Sequence, residues 1–196
     1  MDLARHLPDI AIAAALAWGS GLRAYAVIFA VGLTGALGWV ELPDHLEVLR
    51  HPVVLTASGF MTFVEFFADK LPWLDTVWDS VHSFIRIPAG AALAAAVFGD
   101  SGTATVVAAA ILGGALSAAV HTAKTGARVA LNLSPEPFSN WAASLSEDAL
   151  VPFGLWLAFV HPLLFFALLA LFLLASAMLA RVVWRGLSTL ARRALS

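Results

Sequence analysis

Cysteine is absent from the 196 residues, and with it go disulfides, iron–sulfur clusters and thiolate catalysis. Charge is scarce as well. Asp, Glu, Lys and Arg make up 12% of the chain, against about a quarter in an ordinary soluble domain, so no stretch is left over to form a separate soluble unit. The formal net charge of −2 gives no electrostatic footprint for nucleic acid, and the basic residues are scattered except at the C-terminal end. Complete signatures of common catalytic chemistries are missing too: there is no P-loop, HExxH, GxSxG or CxxC. Met1 to Trp18 lacks a cationic n-region followed by a small-residue cleavage site, so the first apolar run is expected to stay as a membrane segment.

What fills the chain instead is apolar: 61% hydrophobic residues and a mean hydropathy of +0.88. This composition predicts an all-α integral membrane protein, one transmembrane domain over residues 1–196. Apolar stretches run over Ile10 to Val40, broken by "GSGLR", then Pro52 to Ala68, Ile87 to Phe98, Thr103 to Val120 and Ala149 to Ala180. A ~30 Å hydrocarbon core takes about 20 helical residues, so the last stretch divides at His161-Pro162, where proline cannot continue the hydrogen-bond ladder. "GDSG", Gly99 to Gly102, reads as a tight turn. The expected architecture is a compact bundle of about six helices (range four to seven) in three hairpins, with a short interfacial helix. Ile87 to Phe98 is short even when extended back to Phe84, so a re-entrant segment there is the rival reading. "AGAALAAAVFG" and "AAAILGGALSAA" supply the small residues that let membrane helices approach closely. "GLRAYAVIF" and "GARVALNLS" are weakly alike, and each precedes an HP pair by about 30 residues; a duplicated architecture would give this, but chance in an apolar alphabet accounts for it better.

Lys and Arg near helix ends collect on the cytoplasmic side. With both termini cytoplasmic, nine of the eleven basic residues lie inside: Arg5, Lys70, Arg86, Lys124, Arg128, Arg181, Arg185, Arg192 and Arg193. Arg50 is the exception, and Arg23 falls within the first helical region. Glu41, Asp44, Glu47 and Asp100 take the opposite side. Residues 181–196 read as a basic amphipathic cytoplasmic tail on the anionic leaflet.

Two stretches concentrate the polar residues. In the first, Glu65 and Asp69 are four apart and share a face at the end of a hydrophobic helix, followed by Lys70. Asp75, Asp79 and His82 then recur at i, i+4 and i+7, with Arg86 four further on. Solvated charges on an interfacial helix, with Lys70 and Arg86 as headgroup anchors, are one reading. The other needs the second stretch, where His121, Lys124 and Arg128 line one helical face and Asn132, Glu136, Ser139, Asn140, Glu147 and Asp148 follow. Pro135 and Pro137 force extended geometry on their predecessors, and Ser139 or Asn140 can cap the next helix. Together the two stretches would form a vestibule in which Glu65 or Asp69 pairs with Arg23, Lys124 or Arg128, because a deep carboxylate needs a partner. His51 and His161 each precede a proline at a helix start and read as interfacial. Trp39, Trp141, Trp156 and Trp184 read as belt or packing residues.

"GLRAY", "FFADKLPWLDTVWDSVHSFIR", "HTAKTGAR" and "SPEPFSNW" resemble a family of bacterial integral membrane proteins known only as a domain of unknown function, DUF4126, over nearly the whole chain. The resemblance implies a small multi-pass protein of the bacterial inner membrane and brings no activity or site residues. Function rests on the residues themselves. Intramembrane carboxylates, histidines and their basic partners point first to a transporter or channel-like permease for an ion, proton or small solute. A membrane enzyme acting on a lipid or polyprenyl phosphate is the alternative, with Glu65, Asp69, Asp75, Asp79 and His82 holding a divalent metal and Lys124 and Arg128 clamping phosphate. An accessory membrane subunit is a third class. No cofactor is expected, the divalent metal being left open, and the expected partners are the lipid bilayer and, if any, further copies of the chain.

Overall fold

The structure is a computed structural model that describes residues 3–71, 74–132 and 137–194. Its helices are α1 (Leu3–Ala36), α2 (Pro52–Ala68), α3 (Leu74–Val97), α4 (Thr103–Asn132), α5 (Pro137–Val160) and α6 (Pro162–Ala194), with a 3₁₀ helix, Asp44–Arg50, before α2. Among the described residues there is no strand. Among the described residues, five helices are long and apolar enough to cross a membrane by length and composition alone, with α1 counted as one helix, and six if the 3₁₀ helix and α2, bent by 68° at their junction, count as one span.

Proline sets three of the helix starts. Pro52, Pro137 and Pro162 open α2, α5 and α6, where a missing N–H costs nothing because the first turn has no intrahelical acceptor for it. His51 completes the α2 start, its Nδ1 accepting from Val53 N at 3.3 Å. α6 folds back at His161: Trp18 packs against Gly154 of α5 and against both Phe165 and Phe172 of α6, which a straight continuation of α5 would carry out of reach. Between α3 and α4, Gly102 takes φ +86°, a left-handed conformation that only glycine adopts freely, and closes the turn expected from "GDSG".

α1 departs most from expectation. Its helix is interrupted at Arg23 (φ −151°, ψ 83°), and a Cβ on Gly19 would stand 2.7 Å from Val27 Cγ2. In an unbroken helix those positions would be about 12 Å apart along the axis. The chain therefore turns back at Arg23. Both arms end beside the 98–102 turn: His6 and Ile10 share a groove with Phe98, Ser101 and Thr105, while beyond the other arm His45 packs on Gly99 and reaches Asp100 at 3.7 Å. Leu22 O accepts from Lys124 Nζ at 3.0 Å, which places the apex about 32 Å along α4 from Thr103. The expected single span over Ile10 to Val40 is thus a helical hairpin. As a result His6 lies with Ser101, at the end of the bundle opposite Lys70, and not on the side of Lys70 as the charge count required.

The Ile87 to Phe98 segment is also corrected. It is the second half of α3, which runs unbroken from Leu74 through Pro88 to Val97, so there is neither a re-entrant segment at Ile87 nor a separate interfacial helix before it. The α1 hairpin sits at the centre, with Ala11, Leu16, Trp18, Leu22, Val27 and Val31 buried, and large apolar residues such as Phe60, Phe63, Leu163 and Leu171 turned outward. Trp39, Trp141 and Trp156 are exposed.

Close approach at the apex yields a stability test. A Cβ on Gly21 would lie 2.6 Å from Ser117 O and 2.8 Å from Val120 Cβ, whereas one on Gly126 of α4 would meet nothing within 4 Å. Gly21→Ala is expected to lose about 1–3 kcal/mol through overpacking. Gly126→Ala should gain about 0.5–1 kcal/mol, the helix preference of alanine over glycine. Unfolding of the two variants in detergent micelles checks the opposite signs.

Candidate functional site

Five segments converge at the α1 apex. Arg23 comes from the helix break, and Glu65, Asp69 and Lys70 from the end of α2. Asp75, Asp79, His82 and Arg86 lie along one face of α3; His121, Lys124 and Arg128 along one face of α4; and Asn140, Ser144, Glu147 and Asp148 on the first half of α5. Spacings of three, four and seven put each set on one side of its helix. Arg23, Glu65, Asp69, Asp75, Asp79, His82, Arg86, His121, Lys124, Arg128 and Asn140 are all buried. Solvated charges on an interfacial helix are therefore not what α3 carries: its polar face is turned into the bundle, and Val77, Val81 and Phe84 are outside.

The inner part of the site is organised by Arg86. Its guanidinium donates to Glu65 Oε1 and to Asp79 Oδ1, each at 2.5 Å, with all three side chains fully buried. A third contact runs from Arg86 NH1 to His121 Nδ1 at 3.4 Å. Arginine can only donate, so Nδ1 accepts and the imidazole proton is on Nε2, which donates to Ser83 Oγ at 2.6 Å; Ser83 in turn donates to Asp79 O. Lys70 and Arg86 are consequently not headgroup anchors. Lys70 Nζ is held by Phe66 O at 3.1 Å and faces Asp148 at 3.6 Å.

The outer part gathers three cations. Asp69 Oδ2 lies 3.0 Å from Arg23, 3.2 Å from Lys124 and 4.0 Å from Arg128. Glu147 lies 2.9 Å from Lys124, 3.1 Å from Arg128 and 3.7 Å from Arg23, and Asp148 lies 3.2 Å from Arg23. Lys124 also approaches Asp79 at 3.5 Å and so joins the two parts. Backbone carbonyls fix the cations: Lys124 donates to Leu22 O, Arg128 to Asp69 O and Asn140 O, and Arg23 to Ser144 O and Oγ.

The expected pairing of Glu65 or Asp69 with Arg23, Lys124 or Arg128 is made by one of the two carboxylates. Asp69 meets Arg23, Lys124 and Arg128, but Glu65 meets Arg86, a residue assigned to the interface because it follows an amphipathic run. Arg86, Lys124 and Arg128, being buried and paired, are also no part of a positive loop, which weakens the charge count that oriented the chain. Ser139 and Asn140 do not cap α5, which already starts at Pro137. The side chains of Asn132 and Glu136, and those of Arg5, Trp184, Arg192 and Arg193, lie outside the described residues; α6 itself continues helically into the tail, to Ala194. Ser144, fully buried against Arg23, was missed; its position three and four residues before Glu147 and Asp148 was the available signal.

Among the described residues no three His, Asp or Glu side chains are grouped to hold a metal ion. Glu65, Asp69 and Asp79 face guanidinium or ammonium groups instead, and His82 stacks on Trp78 at 4.0 Å with its Nδ1 donating to Trp78 O at 2.8 Å. The expected set of Glu65, Asp69, Asp75, Asp79 and His82 is thus not assembled as metal ligands. A family model described as a domain of unknown function (DUF4126) matches residues 10–182. No curated protein and no solved structure matches the chain.

Proposed function

The chain belongs to the DUF4126 family, multi-pass in character and without an assigned activity, and we propose that it is a small permease whose polar pathway is the site around Arg23. One observation carries this reading: a helix broken inside the bundle, with its break ringed by buried ion pairs. Irregular backbone at membrane depth persists only where protein or a water-filled cavity surrounds it. Broken helices of this kind supply the central sites of transporters. Buried ion pairs seldom stabilise a fold better than apolar residues of the same size, so a bundle this rich in them is retained for what the charges do. The enzyme alternative has less support, because the metal ligands it needs do not converge.

Access is from the end bearing Lys70 and Asp148, the more exposed members of the network. We place that end, with Arg181 and Arg185, in the cytoplasm of a bacterial cell and the His6 end outside. Flux in liposomes tests the function: a panel of salts and a proton gradient, read with an internal pH dye and an internal anion-sensitive dye. Arg23→Gln and Glu65→Gln are expected to lower any flux at least tenfold, while Arg50→Gln, which breaks an exposed pair with Glu47 at the other end, leaves it unchanged. An Arg23→Gln protein that folds and transports like wild type would remove the reading.

A further inference from the structure

Arg23, Lys124 and Arg128 each have an anchor besides the α5 carboxylates, Arg23 donating to Ser144 O and Oγ. Lys124 and Arg128 are tethered to backbone carbonyls of Leu22, Asp69 and Asn140, and behind all three stands Asp69, fully buried. Three cations thus surround one fixed carboxylate, the nearby Asp79 being bound to Arg86. What balances them from the front is Glu147 and Asp148, which differ from the rest in two ways. They are the carboxylates of the network with access to solvent, at 13% and 26% exposure. They also leave Arg23 poorly answered: Glu147 is held by Arg128 at 3.1 Å and Lys124 at 2.9 Å, but Arg23 is 1% exposed and its Nε and NH1, with Glu147 at 3.7 Å and Asp148 at 3.2 Å, make no aligned hydrogen bond. A buried guanidinium with two nitrogens unsatisfied is costly, and a tetrahedral or planar oxyanion offers the oxygens to fill it.

We propose that Arg23, Lys124 and Arg128 form a binding site for an oxyanion, a phosphate or carboxylate group, and that Glu147 and Asp148 occupy it in this structure as built-in competitors. The substrate of the permease is then anionic, and its arrival displaces the two α5 carboxylates toward Lys70 and solvent. This rests on the permease reading for its transport role but not for the binding itself. Two cations in excess of Asp69 suit a group carrying one to two negative charges, such as phosphate at neutral pH. Bidentate guanidinium geometry favours phosphate and carboxylate over a spherical anion.

The test is equilibrium binding of inorganic phosphate to the full chain in phosphatidylcholine nanodiscs, with no gradient present. Glu147→Gln removes the competitor while keeping its shape, and is expected to tighten phosphate binding at least tenfold. Asp148→Asn should act in the same direction, more weakly, and serves if Glu147→Gln fails to fold. Adding Arg128→Gln to Glu147→Gln should return affinity to the wild-type level or below. Nanodiscs containing phosphatidic acid separate the sources: loss of the phosphate signal there identifies a lipid headgroup as the occupant, and its persistence a free anion. Equal phosphate affinity in wild type and in the folded competitor variants, or tightening that survives Arg128→Gln, overturns the proposal. Because binding is read without flux, tight phosphate binding alongside absent transport would sink the permease reading alone, and flux of some other ion without phosphate binding would sink this site alone.

Discussion

Arg86→Met is expected to destabilise the bundle by about 3–5 kcal/mol. The guanidinium is shared by Glu65 and Asp79, both fully buried, so its removal strands two carboxylates at once, and breaking a buried pair from one side leaves an uncompensated charge. The loss should be largely recovered in the triple variant Arg86→Met, Glu65→Gln, Asp79→Asn, which has no stranded charge and keeps similar volume. Surface ion pairs give the contrast: Arg50→Gln should cost at most ~1 kcal/mol. Unfolding titrations in mixed micelles measure all of these, and a loss under ~1 kcal/mol for Arg86→Met would contradict the buried arrangement. Non-additivity between Arg86→Met and Glu65→Gln is part of the expectation, since the two share one contact.

The second large effect is all-or-none and tests the α1 hairpin. With no cysteine in the chain, single cysteines can be placed at His6, Asp100 and Phe138 and probed with a membrane-impermeant maleimide in oriented vesicles. His6→Cys is expected to react from the same side as Asp100→Cys, and Phe138→Cys, at the exposed start of α5, from the other. A single span through Ile10 to Val40 gives the reverse assignment for His6. Labelling of His6→Cys together with Phe138→Cys would refute the turn at Arg23.

Much of the fold was legible where a single residue decides the backbone. Proline cannot continue a helix, so His51-Pro52 and His161-Pro162 marked helix starts, and glycine marked the turn at Gly102. The α1 break was not legible in the same way. "GSG" fits a continuous helix packed closely against its neighbours as well as a reversal, and the decision comes from contacts the sequence does not display, Val27 on Gly19 and Ser117 with Val120 on Gly21. α3 misled for a related reason. Asp75, Asp79, His82 and Arg86 on one face, with Val77, Val81 and Phe84 on the other, describe an interfacial helix and equally one whose polar face meets polar neighbours. Periodicity says which residues share a face, not what the face touches. For the site, the i, i+4 and i+7 spacings correctly grouped the side chains on each helix. Glu65 or Asp69 was expected to pair with Arg23, Lys124 or Arg128, and Asp69 does; that Arg86 would meet Glu65 was hidden because Arg86 sits where a headgroup anchor would, and tertiary packing alone brings it inside.

The distribution of charge among the helices bears on how the protein is made. α4 carries Lys124 and Arg128 without a carboxylate on the same face, while α2 and α5 contribute carboxylates whose cations come from α1, α3 and α4. Released singly into lipid, such helices would each expose unpartnered charge, at a cost that rises with depth to about 2.5–3.5 kcal/mol per residue at the bilayer centre. The helices are therefore unsuited to insertion one at a time. α3 carries a neutralised pair of its own, Arg86 with Asp79, α2 adds Glu65 to the same guanidinium, and α4 can join once Asp69 and Asp79 are there to receive Lys124. The α1 hairpin, with Arg23 at its tip and Asp69, Glu147 and Asp148 arriving afterwards in the chain, must wait for later segments before its own charge is answered, so the first helix synthesised is among the last to settle.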